Sequence, residues 1–275
     1  MTAKKGTNKK ISIYDDIEKV DKEEIKESLA YNSTNKIKKE KIYLSKDLFE
    51  NNGIILTEKQ NEVHKLIRNN IITVIQGPAG TAKTLVSCYT ALTLLIDKKI
   101  DRIIITKPIQ EAGENLGFLP GALEDKVGPY MKSYDSTFIK LIGKQAYEFL
   151  RSEGIITTEV LAYMRGETYD NCVMLLDEAQ NLSIKQLMLW VTRIGKNSKA
   201  VLNGDVSQYD INKNDVKLQL FIDKILCGVD EVAKFSFKKE DVMRSKVLIN
   251  IVDNYEKYLS EVDNTTKTTK KQLNG

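Results

Sequence analysis

The sequence predicts an α/β fold, a doubly wound and mainly parallel β-sheet flanked by helices, and three observations carry that prediction. Continuous β-branched and aliphatic runs at Ile71–Ile75, Arg102–Thr106, Cys172–Leu176 and Ala200–Leu202 alternate with helix-like stretches, as strands covered on both faces of a parallel sheet do. Between the first run and the helix-like stretch Thr84–Leu95 stand Gly77, Pro78, Ala79, Gly80, Thr81, Ala82, Lys83 and Thr84, so strand, glycine-bearing loop and helix follow in the order a phosphate-binding loop needs. The third run ends in two acids, Asp177 and Glu178, at the strand end where a parallel sheet meets its ligand.

The elements follow in order. Residues 1–50 are rich in Lys, Glu, Asp and Asn, with a helical rhythm only over Ile11–Leu29, and are expected to form a flexible, lysine-rich extension. The core is expected over residues 51–262, and a basic, disordered tail over 263–275. Within the core, Thr57–Asn69 reads as a helix, Ile71–Ile75 as a buried strand, Thr84–Leu95 as a helix and Arg102–Thr106 as the next strand. Glu114–Gly121 reads as an ordered loop or lid. Tyr130–Leu150 reads as one helix, Ile155–Val160 as extended, Cys172–Leu176 as a strand, and Ser183–Ile194 as a helix capped by Ser183. Ala200–Leu202 and the edge strand Lys234–Phe237 complete the sheet, with Val216–Leu226 and Val242–Leu259 as closing helices.

Composition narrows the class. The chain has 275 residues, 41% of them hydrophobic and 29% charged, which suits a globular protein with one substantial core. No apolar run approaches the length of a membrane helix and the lysine-rich start lacks a secretory apolar segment, so a cytoplasmic location with no membrane contact is expected. Cys88, Cys172 and Cys227 lie far apart in apolar contexts and read as buried thiols. A net charge of +4 does not demand nucleic acid, although lysines crowd both ends.

The loop at residues 77–84 implies a bound nucleoside triphosphate. Its backbone N–H groups would wrap the phosphates, the helix N-terminus would add partial positive charge, Lys83 would reach the terminal phosphates and Thr84 would ligate magnesium. Ala82 stands where the usual pattern has glycine; a positive φ there would cost roughly 1–2 kcal/mol. Asp177 is expected to help hold magnesium, and Glu178 to polarise an attacking water. Two acids after a strand also suit a plain helix N-terminus, but after a phosphate loop in the same sheet the metal-and-water reading takes precedence. Asn203, Asp205 and Gln208 follow another strand end, where they either sense the γ-phosphate or cap the next helix. Gln60 can read an adenine edge, since its amide donates and accepts together. His64, the only histidine, reads as an incidental helix residue.

Six ordered blocks then carry a family resemblance: Thr106 to Pro108, Gly113 to Gly121, Ala162 to Gly166, Leu176 to Asn181, Asn203 to Asp205, and Asp241 to Ser245. Together they resemble the motif set of PhoH-family ATPases over about Thr57 to Tyr258. The resemblance implies a RecA-like core related to superfamily I helicases, ATP hydrolysis with magnesium and, in some members, association with RNA or an attached nuclease domain; the leading reading for this chain is an ATPase coupled to single-stranded nucleic acid, RNA favoured over DNA. Many such proteins are carried by bacteriophages, and the abundance of Lys, Ile and Asn suits an AT-rich genome. Lys107 departs from the family's arginine and loses the planar fork. Helicase-type movement uses paired cores, so one core implies a homo-oligomer, a hexameric ring being one form. Arg244 then becomes an arginine finger offered to a neighbouring subunit, although a helix-start arginine also serves as a surface or ion-pair residue. Two other readings stay open: an ATP-binding regulatory scaffold with slow turnover, and a small-molecule kinase. The kinase lacks its arginine-rich lid between Gly113 and Arg165.

Overall fold

Apolar strands end on one edge of the sheet because each is joined to the next by a crossover that returns the chain to the opposite edge. The computed structural model describes residues 44–106, 108, 123–205 and 217–243, together with helical positions 247, 250, 251, 254, 255 and 258; side chains of 123–130 are outside that set. The helical rhythm at Ile11–Leu29, the loop Glu114–Gly121, residues Lys107, Gln208 and Arg244, and the tail 263–275 lie outside the described residues.

The described chain begins with α1 (Asp47–Asn51), in which Phe49 is buried, and α2 (Glu58–Asn69). Strand β1 (Ile72–Gln76) leads into α3 (Lys83–Ile96), and β2 (Arg102–Thr106) precedes α4 (Leu123–Ile142) and α5 (Lys144–Ser152). There follow β3 (Ile156–Thr158), β4 (Cys172–Leu176), α6 (Ile184–Val191), β5 (Lys199–Gly204), α7 (Lys217–Leu220) and β6 (Val232–Ser236). The sheet order is β3-β2-β4-β5-β1-β6, and every pairing among the described strands is parallel. This is the RecA-like, doubly wound architecture expected. Among the described residues no helix is long and apolar enough to cross a membrane.

Alternating residues feed two cores. On one face Val74, Ile104, Met174, Leu176 and Leu202 pack with Leu187 and Trp190 of α6 and with Leu218 and Phe221. On the other, α3 lies over β4 and β5 and packs against α2 and α4, with Ile75, Ile103 and Ile105 buried beneath. Each fully buried aliphatic side chain stabilises by roughly 1.5–3 kcal/mol over leaving it in water. Trp190 is also polar-satisfied, its Nε1–H donating to Thr106 Oγ1 at 3.1 Å.

Three expectations change. The helix expected over Tyr130–Leu150 is two, because Gly143 takes φ 81 and turns the chain between α4 and α5. The helix expected over Val216–Leu226 is helical throughout its described part but changes hydrogen-bond register, from α over Lys217–Leu220 to a single π-turn over Phe221–Ile225. Cys88 and Cys172 are buried, but Cys227 is exposed, since it follows the end of that π-turn rather than facing the core.

Candidate active site

The loop between β1 and α3 carries two backbone conformations that its sequence makes unequal in cost. Gly77 has φ 146, and a Cβ there would lie 2.7 Å from Phe237 Cβ, so the close approach of the chain after β6 requires glycine. Ala82 has φ 64 and ψ 29, a left-handed conformation in which its own Cβ is strained. That residue is the N-cap of α3 and offers no side-chain cap, leaving the first N–H groups of a 14-residue helix directed at the loop. Thr81 stiffens the loop by donating its hydroxyl to Pro78 O at 2.9 Å.

Lys83 Nζ donates to the carbonyl oxygens of Gly77 at 2.5 Å and Pro78 at 3.0 Å, holding its ammonium over the loop. Thr84 Oγ1 donates to Asp177 Oδ2 at 3.2 Å, which brings the second residue of α3 against the first residue after β4. Both are hard oxygen donors, and a magnesium ion needs only one or two such protein ligands beside phosphate and water. The donor set therefore fits that ion, and among the described residues no cluster of three His, Cys, Asp or Glu competes for one. Asp177 is only 7% exposed. Burial, and then the Asp177 charge, push the Cys88 thiol and the Tyr134 phenol up.

Glu178 has φ 54, another left-handed residue, and opens the 3-10 turn Ala179–Asn181. Its Oε2 accepts from Gln180 Nε2 at 2.6 Å, while Gln180 Oε1 accepts from the Asp205 backbone N–H at 3.0 Å. Sequence reasoning passed over Gln180, reading only the two acids of its block; nothing in the spacing shows where its amide goes. Asn203, expected near the γ-phosphate, is fully buried and accepts from Ser87 Oγ at 3.0 Å under α3, so it ties helix to sheet.

Gln60 is buried and completes a capping box: Thr57 Oγ1 accepts from Gln60 N, and Gln60 Oε1 accepts from Thr57 N at 3.1 Å. The Thr-x-x-Gln spacing was the missed signal for this. Its Nε2 faces Met243 Sδ at 3.3 Å. With Phe237, Asp241 and Met243 it lines a cleft of about 310 Å³. Met243 N donates to Gly80 O at 3.0 Å, which sets this cleft beside the phosphate loop, and Lys59 pairs with Asp241 at 2.6 Å along it. His64 is not incidental to packing: its Nδ1 lies 2.9 Å from Thr90 Oγ1 and its ring meets Tyr89 edge-on.

A family model described as PhoH-like protein matches residues 54–256. A PhoH-like protein of Bacillus subtilis (strain 168) is 39% identical over 204 residues, covering 74% of this chain and 64% of that protein. Protein PhoH of Escherichia coli (strain K12) is 35% identical over 200 residues, covering 70% of this chain and 55% of that protein. The chain thus spans less than two thirds of the length of either relative. Among solved structures, the large terminase of a thermophilic bacteriophage in complex with ADP overlaps with a TM-score of 0.45 at 12% identity, over 74% of this chain and 50% of that one.

Proposed function

The chain belongs to the PhoH-like protein family, and from that membership we propose that it binds ATP with magnesium and hydrolyses it, coupled to a single-stranded nucleic acid, RNA before DNA. The observation that carries this reading is the Thr84–Asp177 contact of 3.2 Å at the foot of a phosphate loop, with Glu178 the next residue.

In this reading the backbone N–H groups of Gly77–Thr84 hold the phosphates and Lys83 leaves the loop carbonyls to offset the charge on the terminal two. Thr84 and Asp177 would hold magnesium. When bound, that ion neutralises charge developing on the phosphate oxygens. Glu178 orients and polarises the water that attacks in line, accepting its proton. Gln60 and the cleft beside Met243 receive the base. Gln208 senses the terminal phosphate, and Arg244 acts across a subunit boundary in a homo-oligomer, a hexameric ring being the form that supplies each site with a neighbour's arginine. The family membership and the strand-end acids support an ATP hydrolase over a kinase, which needs an acceptor pocket.

The test is steady-state phosphate release from each nucleoside triphosphate with magnesium, alone and with single-stranded RNA, single-stranded DNA or duplex. Turnover of ATP stimulated by single strands is expected. Slow turnover indifferent to every polymer would favour the regulatory scaffold, and a phosphorylated small molecule in place of free phosphate would mark a kinase.

A further inference from the structure

Gln180 is placed between two parts of the site by a single amide. Its Nε2 donates to Glu178 Oε2 at 2.6 Å and its Oε1 accepts from the Asp205 backbone N–H at 3.0 Å. The partners settle which end of the amide is which, because a carboxylate only accepts and a backbone N–H only donates. No other side chain of that length does both in its usual ionisation state at neutral pH. Glutamate would set two carboxylates against each other, and methionine would leave both partners without their bond. The bridge is also confined: Gln180 is only 8% exposed, and a Cβ on Gly204 would come within 3.4 Å of Gln180 Oε1.

The carboxylate it holds sits on a strained backbone. Glu178 takes φ 54, a conformation that a non-glycine residue keeps only where its surroundings impose it. Two residues on, the 3-10 turn carries the amide back against that same carboxylate. At the far end Asp205 directly follows β5.

We propose that Gln180 is a positioning residue, which fixes the direction of the Glu178 carboxylate and ties it to the end of β5 at Asp205. The proposal rests on the reading of Glu178 as the group that polarises water. Removing the amide leaves a carboxylate of the same chemistry free to turn, so turnover falls while nucleotide binding stays. Misplacement of a reacting group by an ångström costs about 100-fold, which sets the scale.

The experiment is a double-substitution cycle in the full chain, read by single-turnover hydrolysis at saturating magnesium-ATP and by equilibrium binding of the same nucleotide. Gln180→Met and Gln180→Glu should each bind within about threefold of wild type and hydrolyse about 10- to 100-fold more slowly. In a Glu178→Gln background the same substitutions should change the remaining rate less than about twofold, because residues that act as a unit are not additive. Amide hydrogen exchange at Asp205 should quicken in Gln180→Met and stay slow in Gln180→Glu, which retains an acceptor. Wild-type hydrolysis in Gln180→Met, or an equal loss in both backgrounds, overturns the positioning role while leaving the ATPase reading standing. Absence of any turnover in the wild-type protein overturns the ATPase reading, and the proposal with it.

Discussion

The Thr84 hydroxyl donates to Asp177 Oδ2 across 3.2 Å, and this one contact joins the start of the phosphate-loop helix to the end of the central strand β4. A divalent ion taking both oxygens would draw on a pair already assembled. Asp177→Asn keeps the shape and removes the charge. We expect the magnesium-dependent part of ATP affinity to fall at least about tenfold, since even outer-shell partners of a bound metal cost that much when changed. Affinity measured in chelator should not move. Titrations of nucleotide with and without magnesium check this, and equal magnesium dependence in both proteins would contradict it.

Ala82 holds φ 64 at the N-cap of α3, where glycine has no Cβ to strain. The left-handed conformation costs an L-residue roughly 1–2 kcal/mol, and glycine's greater loss of backbone freedom offsets about 0.5–1 kcal/mol of that. Ala82→Gly should therefore raise stability by up to about 1.5 kcal/mol. Urea unfolding reads the change as a higher midpoint at unchanged slope. A lower midpoint would mean that the loop relaxes around the alanine at no cost.

His64 gives the fold a dependence on mild acid. Burial first, and then the Arg68 and Lys46 charges, hold its pKa down to about 4, against about 6.5 in an unfolded chain. The unfolded state therefore takes up a proton that the fold refuses, and the stability of neutral His64 is complete above about pH 6.5 and lost as pH falls toward 4. The urea midpoint should drop between pH 7 and pH 4.5, and His64→Gln, which can still face Thr90, should flatten that drop. Equal slopes in the two proteins would exclude His64 as the source.

Arg244 lies outside the described residues, and its role is tested by complementation. Met243, its neighbour, donates its N–H to Gly80 O at 3.0 Å, so the segment leading to Arg244 is anchored on the phosphate loop. A finger acting across subunits contributes about 10³- to 10⁵-fold to turnover. Arg244→Ala and Lys83→Ala proteins, each inactive alone, should regain hydrolysis when mixed, because some interfaces then hold one intact loop and one intact arginine. No recovery in subunits shown to exchange would remove Arg244 from the site.

Much of the fold was legible because its strands are punctuated. Arg102–Thr106 and Cys172–Leu176 were read with the bounds the structure shows, since in each an apolar run is closed by polar residues, Arg102 and Thr106 in the first and Asn171 and Asp177 in the second. Helix ends were less legible. Gly143 looks tolerable inside an amphipathic pattern, and only its positive φ shows that the chain turns there. The π-turn at Phe221–Ile225 leaves no periodic signal over so few residues. In the site, the pairing of Thr84 with Asp177 followed from two local motifs whose strands lie two apart, β4 and β1 on either side of β5. The Gln180 bridge did not, because it depends on how β5 and the turn after β4 meet in space, which no spacing along the chain encodes.

Turnover of ATP by this loop and these acids is tested most directly at Glu178. Wild-type protein and Glu178→Gln should be compared for equilibrium binding of magnesium-ATP and for single-turnover release of phosphate. The amide keeps the shape of the carboxylate but cannot take a proton from water, so binding should stay within about threefold while hydrolysis falls by about 10²- to 10⁴-fold. Hydrolysis by Glu178→Gln at the wild-type rate, or a wild-type protein that binds magnesium-ATP and releases no phosphate, would contradict the account.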